Sequence, residues 1–358
     1  MELRNGDLLA AYFGGSYEGC PDVCIYTQRK KLIKRDLKNG NVYEQGWSEP
    51  QKVADGNGKA CYNPVLFQVP NGDVILHYKI GKDVRDWTGY QMRSTDDGHT
   101  WTSHEVLPDS LLGAIKNQPV ILPRGFKCKN GDVLASDRII APTSKEAAPG
   151  SKTVKGQWRC YMEISEDNAN SWWITSKIPQ DDARFRTIQP AILVHPDGRL
   201  QLLARTAAPK TPEQKDDACV ATSWSDDGGL TWSEMEFISD LPNNNSGIDA
   251  VTLPDGSFAV VYNPFGCVDW RKSDDPKRIK PLRTPLWIAT SKDGIRWTPV
   301  HQLETSPIGQ YSYPTMIVGS DGTLHCVYTW RRERIKYKRI IASPPALSHR
   351  DGAGARKE

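Results

Sequence analysis

Four short segments of the chain repeat one pattern, and this repetition constrains the fold more than any other feature. The pattern, S-x-D-x-G-x-T-W, is complete in residues 94–101 and 225–232. Residues 165–172 have alanine for glycine and serine for threonine, and residues 291–297 are one residue shorter. An Asp side chain can accept hydrogen bonds from nearby backbone N–H groups, and glycine permits a conformation that a Cβ would penalise. Each segment is therefore predicted to form a self-contained turn that its tryptophan pins to a sheet.

A second repeat is an Asn-Gly or Asp-Gly pair between apolar runs, the strongest local signal for a β-hairpin. Six such pairs end at Gly6, Gly72, Gly131, Gly198, Gly256 and Gly322. A third strand leads into each Asp-containing turn and a fourth follows it. Repeats of this length are typical of propellers and solenoids. Four antiparallel strands repeated six times predict an all-β fold, a six-bladed β-propeller over residues 1–341.

Three segments depart from this regular pattern. The first unit begins at its hairpin, so the first inner strand is expected to be missing. Residues 342–358 are polar and rich in proline and glycine, which is typical of a disordered tail. Residues 141–157 are expected to form a long loop in the third blade, and such loops on rigid scaffolds often bind ligands.

Composition excludes several classes of function. The formal net charge of +3 gives no reason to expect a nucleic-acid partner, and no apolar run approaches the ~20 residues of a membrane helix. Eight cysteines without a C-x-x-C pair argue against a zinc site, and those in apparent strands are expected to be small buried residues: Cys24, Cys160, Cys219 and Cys326. No phosphate or dinucleotide motif is present, so no cofactor is expected. No signal peptide is seen, and compartment and oligomeric state stay open.

Together with these repeats, six segments resemble the sialidase-like superfamily of proteins with bacterial-neuraminidase repeats, or Asp-boxes. They read F-G-G-S-Y-E-G-C-P-D-V, C-Y-N-P-V-L-F, I-K-N-Q-P-V, T-I-Q-P-A, N-S-G-I-D-A-V and Y-S-Y-P-T-M. The resemblance covers residues 1–341. It implies a carbohydrate-active enzyme, an exo-acting glycosidase for a terminal and acidic sugar, with a carbohydrate as its partner. Propellers host many activities, so the fold alone does not establish this one.

The residues that precede the inner strands are candidates for the site, because a propeller binds ligands at the mouth of its channel. They are polar where a purely structural strand would favour apolar side chains: Asn63, Lys116, Gln118, Gln189 and Asp249. For any one of them, capping a strand end is the alternative. The ring as a whole predicts a polar sugar pocket.

The resemblance also implies catalytic residues, since sialidases use a tyrosine nucleophile. Its place on the last blade matches Tyr311 or Tyr313, and residues two apart are expected on one face of a strand. The acid/base carboxyl belongs in the first-blade loop, where Glu18 and Asp22 stand, although Asp22 could instead cap a turn. Asp249 is a third carboxylate, which could pair with either across the channel.

Arginines that hold a substrate carboxylate are the last feature that the resemblance implies. The first belongs on the missing inner strand; Arg205 is a candidate for the second and Arg331 for the third, with a charged strand edge as the alternative. Lys79 and Arg85 could bind an acidic sugar instead, with Trp87 as a stacking platform. Two further hypotheses remain open: a non-catalytic glycan-binding propeller, and a rhamnosidase- or lyase-type enzyme on the same fold.

Overall fold

A computed structural model of the chain consists of six antiparallel β-sheets, arranged as blades around a central channel. It describes residues 1–32, 44–146, 158–207, 217–243, 245–266 and 283–341. The prediction of an all-β, six-bladed propeller is confirmed. The expected tail at 342–358 lies outside the described residues, as does most of the expected loop at 141–157. The prediction of a loop is wrong for residues 141–145, which form the end of a strand, Arg138–Lys145, paired along its length with the next strand.

The strands of the first three blades are β1 (Leu8–Gly14), β2 (Cys24–Leu32), β3 (Glu44–Trp47), β4 (Gln51–Ala54), β5 (Ala60–Gln68), β6 (Val74–Gly81), β7 (Thr88–Ser94), β8 (Glu105–Val106), β9 (Val120–Leu122), β10 (Arg138–Lys145), β11 (Arg159–Ser165) and β12 (Trp173–Ile174). The strands of the last three are β13 (Thr187–Val194), β14 (Leu200–Thr206), β15 (Cys219–Ser225), β16 (Glu236–Pro242), β17 (Asp249–Thr252), β18 (Phe258–Tyr262), β19 (Leu286–Ser291), β20 (Thr298–Glu304), β21 (Tyr311–Val318), β22 (Leu324–Trp330) and β23 (Arg334–Ile340).

Each blade runs outward from the channel in chain order. The second to fifth blades each have four strands in this order, from β5-β6-β7-β8 to β17-β18-β19-β20, and the sixth has β21-β22-β23 among the described residues. Every residue of β6 and β14 is buried, since neighbouring blades cover both faces of these strands. Both strands nevertheless carry polar side chains, among them His77 and Lys79 in β6 and Gln201 and Arg205 in β14.

The first blade has only a short segment, residues 1–3, at the position of the inner strand. β1 follows the Gly6 turn and therefore corresponds to the second strand of the other blades. Residues 1–3 lie beside its start: the Met1 amine donates to the Leu9 carbonyl over 2.8 Å, and the Leu9 N–H donates to the Met1 carbonyl over 2.9 Å. These three residues stand where β5 has nine.

The first and last blades meet through side chains. The N–H and hydroxyl of Ser320, in the turn after β21, donate to the Glu2 carboxylate over 2.6 and 2.8 Å. Further out, the rings of Trp47 and Tyr337 pack edge to face with 5.4 Å between centroids. These contacts close the ring.

The Asp-containing turns have the predicted internal bonding. In the turn at 225–232, the Ser225 hydroxyl donates to Asp227 over 2.8 Å, and the N–H groups of Gly229 and Thr231 donate to Ser225 Oγ and Asp227 Oδ1 over 2.9 and 3.0 Å. Trp232 is 8% exposed. The first and third strands of a blade run in the same direction, so these turns and the Asn-Gly or Asp-Gly hairpins share one face of the ring, the lower face. The inner strands begin at the opposite, upper face.

The hydrophobic core lies between neighbouring blades. One cluster joins the third and fourth blades through Ile140, Ile164 and Leu202, which are all fully buried. The four strand cysteines are buried as predicted. Where the chain is described, no helix is long and apolar enough to cross a membrane.

Candidate functional site

Three inner strands carry the same irregularity near their upper ends. The pairing register of β5, β13 and β21 shifts at Asn63-Pro64, Gln189-Pro190 and Tyr313-Pro314. The residues before these prolines have φ angles of 46°, 54° and 51°, in the left-handed region that few residues other than glycine adopt. A β-bulge redirects the side chain that it carries. The same bulge recurs in three blades, which indicates that it serves to place these three side chains at the channel mouth.

Arg205 forms the centre of a polar cluster at this mouth. It is the penultimate residue of β14 and is 7% exposed. Its Nε donates to Asn245 Oδ1 over 2.9 Å, its Nη1 donates to Gln189 Oε1 over 3.0 Å, and its guanidinium lies 5.5 Å from the ring of Trp158. Both hydrogen-bond partners are neutral side chains, and in the described part of the chain no carboxylate forms an ion pair with Arg205.

Tyr313 lies beside Arg205 and a second arginine, Arg283. The guanidinium carbon of Arg283 is 4.8 Å from the Tyr313 ring centroid. Burial acts to raise the pKa of the Tyr313 phenol, but the positive charges of Arg205 and Arg283 outweigh burial and lower it. A phenol with a lowered pKa spends more time as phenolate, which is the nucleophilic form.

The bulge separates Tyr313 from Tyr311. Tyr311 is 1% exposed and belongs to the apolar cluster of Leu286 and Met316. The expectation that both tyrosines share one face is wrong, because the bulge interrupts the alternation of side chains along β21. Of the two side chains, that of Tyr313 lies beside the guanidinium groups of Arg205 and Arg283, whereas Tyr311 contacts Arg283 through its backbone N–H.

Glu146, just after β10, is the carboxyl with a raised pKa at this mouth. Burial raises the pKa of Glu146, nearby Glu18 adds to the shift, and Arg205 opposes it. Glu18 forms an ion pair with Arg332, with 2.6 Å between Oε2 and Nη2. Asp22 instead accepts hydrogen bonds from the hydroxyl and N–H of Ser16 over 2.7 and 2.9 Å. These bonds lower the pKa of Asp22, so it caps a turn and stays ionised.

Deeper in the channel, Lys116 connects three blades. Its Nζ donates to Asn117 Oδ1 over 2.8 Å and to the carbonyls of Ile248 and Pro314 over 2.6 Å each. Three acceptors match the three ammonium hydrogens, so this lysine is fully engaged across the channel. Burial lowers the pKa of Lys116 to about 8, partly offset by Asp249.

Asp249 lies near Lys116 and is also engaged by the protein. Its Oδ2 accepts the N–H of Met316 over 2.8 Å and its Oδ1 accepts the N–H of Ala250 over 2.9 Å. Burial raises the pKa of Asp249 to about 6, while Lys116 opposes the shift. Through these hydrogen bonds, the buried side chains of Asp249 and Lys116 hold neighbouring inner strands together.

The chain matches the BNR repeat-like domain family over residues 6–326. The chain belongs to this family. No curated protein sequence matches it.

Solved structures similar to this BNR repeat-like protein include the NanB sialidase of Streptococcus pneumoniae, at 13% identity and a TM-score of 0.62, with 95% of this chain and 67% of that chain covered. The intramolecular trans-sialidase of Ruminococcus gnavus has 14% identity and a TM-score of 0.61, with coverages of 95% and 93%. The α-L-arabinanase of Penicillium chrysogenum has 17% identity and a TM-score of 0.57, with coverages of 95% and 91%. At these identities the likeness concerns the fold.

Several residues expected in the site of this BNR repeat-like protein lie elsewhere. Lys79 is fully buried between the second and third blades, where its Nζ donates to the Ala114 carbonyl. The guanidinium of Arg85 lies on the upper face and is paired with Asp83. Arg331 is exposed and lies over the ring of Trp330, 4.5 Å from its centroid. Of the predicted residues, the structure brings Gln189, Arg205 and Tyr313 together, with Glu18 near them.

The remaining predicted positions are Asn63 and Gln118. Asn63 carries the bulge of β5, and the Gln118 amide donates to the Leu66 carbonyl over 2.8 Å. Gln118 thus binds the inner strand of the neighbouring blade.

Sequence reasoning missed Glu146, Arg283 and Asn245. Glu146 falls within the segment 141–157, which was expected to bind ligands, but no motif marks it. Arg283 stands just before β19, at the upper end of a third strand, a position that the inner-strand pattern does not cover. Among the described residues, no group of three His, Cys, Asp or Glu side chains could hold a metal ion.

Proposed function

We propose that this protein is a glycosidase that removes a terminal acidic sugar from a glycan. The observation that carries the proposal is the position of the Tyr313 phenol beside Arg205 and Arg283, at the upper end of a propeller channel. Guanidinium groups favour a carboxylate ligand, because their planar N–H donors match its two oxygens. Sialidases use a tyrosine nucleophile, and two of the similar structures are a sialidase and a trans-sialidase.

The proposed reaction has two steps. The carboxylate of the terminal sugar binds Arg205 and Arg283. The phenolate oxygen of Tyr313 attacks the anomeric carbon, the bond from this carbon to the glycosidic oxygen breaks, and Glu146 donates a proton to that oxygen. The raised pKa of Glu146 keeps the proton available for this transfer. Glu146, now ionised, then removes a proton from water, which attacks the anomeric carbon and releases Tyr313. Two displacements return the anomeric configuration of the substrate.

A panel of 4-methylumbelliferyl glycosides tests this proposal. We expect release from glycosides of sialic or hexuronic acids and none from those of rhamnose or arabinose. Tyr313→Phe should abolish release, and Tyr311→Phe, which removes a hydroxyl from the core, should retain it. Release from neutral glycosides alone would contradict the proposal. Saturable binding of an acidic glycan without release would favour the glycan-binding propeller.

A further inference from the structure

A cleft of about 160 Å³ opens on the upper face between the second and third blades. One wall is the loop between β6 and β7, which contributes Arg85 and Trp87. The opposite wall is the end of β10 and the residue after it, which contribute Lys145 and Glu146. At ~30 Å³ for each water, the cleft corresponds to the volume of about five waters, a space that one sugar ring can fill.

A chain of hydrogen bonds connects the wall of the cleft to the arginine cluster. Ser144, in its wall, accepts a hydrogen bond from the Gln189 N–H over 3.0 Å, and Gln189 Oε1 accepts one from Arg205 over 3.0 Å. Glu146 lines the cleft and also interacts electrostatically with Arg205. Glu146 therefore lies between the cleft and the proposed binding site of the terminal sugar.

Lys145 is a half-buried cation without an acidic partner. Its Nζ lies 5.5 Å from the ring centroid of Tyr161. In the parts of the chain that the structure describes, no carboxylate lies within ion-pair distance of it. Burial lowers the pKa of Lys145, and only Glu163 acts against this from a distance. A desolvated ammonium of this kind gains from an anion bound nearby.

The rest of a bound glycan must lie on the upper face. Lys116 crosses the channel below the arginines and donates to backbone carbonyls of the fifth and sixth blades. A general acid contacts the glycosidic oxygen, and that oxygen joins the terminal sugar to its neighbour. If the terminal sugar occupies the arginine cluster, the neighbour falls on the other side of Glu146, in the cleft.

We propose that the cleft binds the sugar next to the cleaved bond, and that this sugar carries an anionic group held by Lys145. Trp87 supplies an aromatic wall for the sugar ring. The substrate class is therefore an oligosaccharide with a negative charge on both sides of the bond. This inference rests on the proposed function.

The first test compares three substrates with the same terminal acidic sugar, linked to methylumbelliferone, to a neutral sugar or to an acidic sugar. We expect Lys145→Met to lower kcat/KM about tenfold for the acidic neighbour only, through KM, as loss of one charge-assisted contact implies. Lys292→Met, an exposed lysine on the lower face, is the matched control. Equal losses for all three substrates, or no loss for the acidic neighbour, would overturn the inference.

A binding experiment separates this inference from the proposed function. Tyr313→Phe, with and without Lys145→Met, is titrated calorimetrically with dimers of sialic acid and of hexuronic acid. We expect an affinity that falls about tenfold with Lys145→Met, even if no variant or wild-type enzyme hydrolyses the dimer. Equal affinities, or no binding by either variant, would contradict the cleft. Matched melting temperatures of the two variants confirm that both are folded.

Discussion

Arg205 of the fourth blade lies close enough to Tyr313 of the sixth to help lower the pKa of its phenol, although burial alone would raise it. The two side chains come from strands separated by about a third of the chain, and both are placed at the mouth by the ends of their strands. Their contact exists only when the ring is closed. The chemistry proposed for Tyr313 therefore depends on the whole propeller.

Arg205→Gln should move the pH profile as well as weaken binding. Removing a positive charge raises the pKa of Tyr313, because the phenolate loses a stabilising neighbour. If phenolate formation limits the rate, the rising limb of kcat/KM against pH moves to higher pH. Arg205→Lys should restore the position of this limb better than it restores KM, because lysine keeps the charge and loses the planar fork. If the rising limb of Arg205→Gln stays at the pH of the wild type, Arg205 does not control the ionisation of Tyr313.

If Glu146 is the general acid, Glu146→Gln should slow the reaction most for leaving groups that need a proton. A glycan leaves as a poor leaving group that needs a proton, so its hydrolysis should fall by about 10²–10⁴-fold. Methylumbelliferone leaves without protonation, so formation of the tyrosyl intermediate with this substrate should be far less affected. The pre-steady-state burst of methylumbelliferone measures this step. A similar loss for both leaving groups would assign Glu146 a structural role instead.

Asp249 should make the protein less stable as pH rises. Its pKa is about 6 in the folded state and 3.8 in an unperturbed carboxyl, so between these pH values the folded state holds a proton that the unfolded state has lost. The free energy of unfolding should fall by about 1.4 kcal/mol per pH unit across this window. The neighbouring Lys116 titrates higher, near pH 8.

Urea denaturation from pH 4 to 7 checks this expectation. Asp249→Asn cannot ionise, so the difference in stability between wild type and variant should change by as much as about 3 kcal/mol over the range. Parallel curves for the two proteins would show that Asp249 does not titrate there.

Asp227→Ala should destabilise the fold and leave the site intact. Asp227 accepts bonds from Ser225 and Thr231 in a turn on the lower face, so its loss should cost about 2 kcal/mol. Asp226→Ala is the matched control, because the adjacent side chain is exposed. Melting temperature and kcat/KM of the folded fraction are the measurements. A large loss of kcat/KM in Asp227→Ala would indicate that the turns act on the upper face.

The Asp-containing turns were predictable because the hydrogen bonds that shape each turn, such as those of Asp227 with Ser225 and Thr231, join residues of the same short segment. The number of blades followed from their spacing. The side-chain directions at the mouth were not predictable in this way, since a bulge at Tyr313 reverses what alternation implies for Tyr311. Similarly, nothing in the local sequence shows that Lys79 donates to the Ala114 carbonyl between two blades.

Candidate site residues outside the inner strands were the hardest to predict. Arg283 and Glu146 reach the mouth from a third strand and from a loop, and no repeated spacing marks either position. Their roles follow from neighbours more than fifty residues away in the chain, as with Glu146 and Arg205. Contacts between residues so far apart in the chain cannot be inferred from composition or local spacing.

The junction between the first and last blades has a mechanical consequence. In the described residues, Glu2 and Ser320, with Trp47 and Tyr337, hold this junction without a strand shared between the two blades. The other five pairs of neighbouring blades are also joined by the chain itself, so the ring behaves like a linear stack of six units whose ends touch, and local opening is expected first at those ends. That junction borders both Tyr313 and the Glu18 loop, whose ion pair with Arg332 also crosses it, so local opening of the ring would widen the mouth from one side.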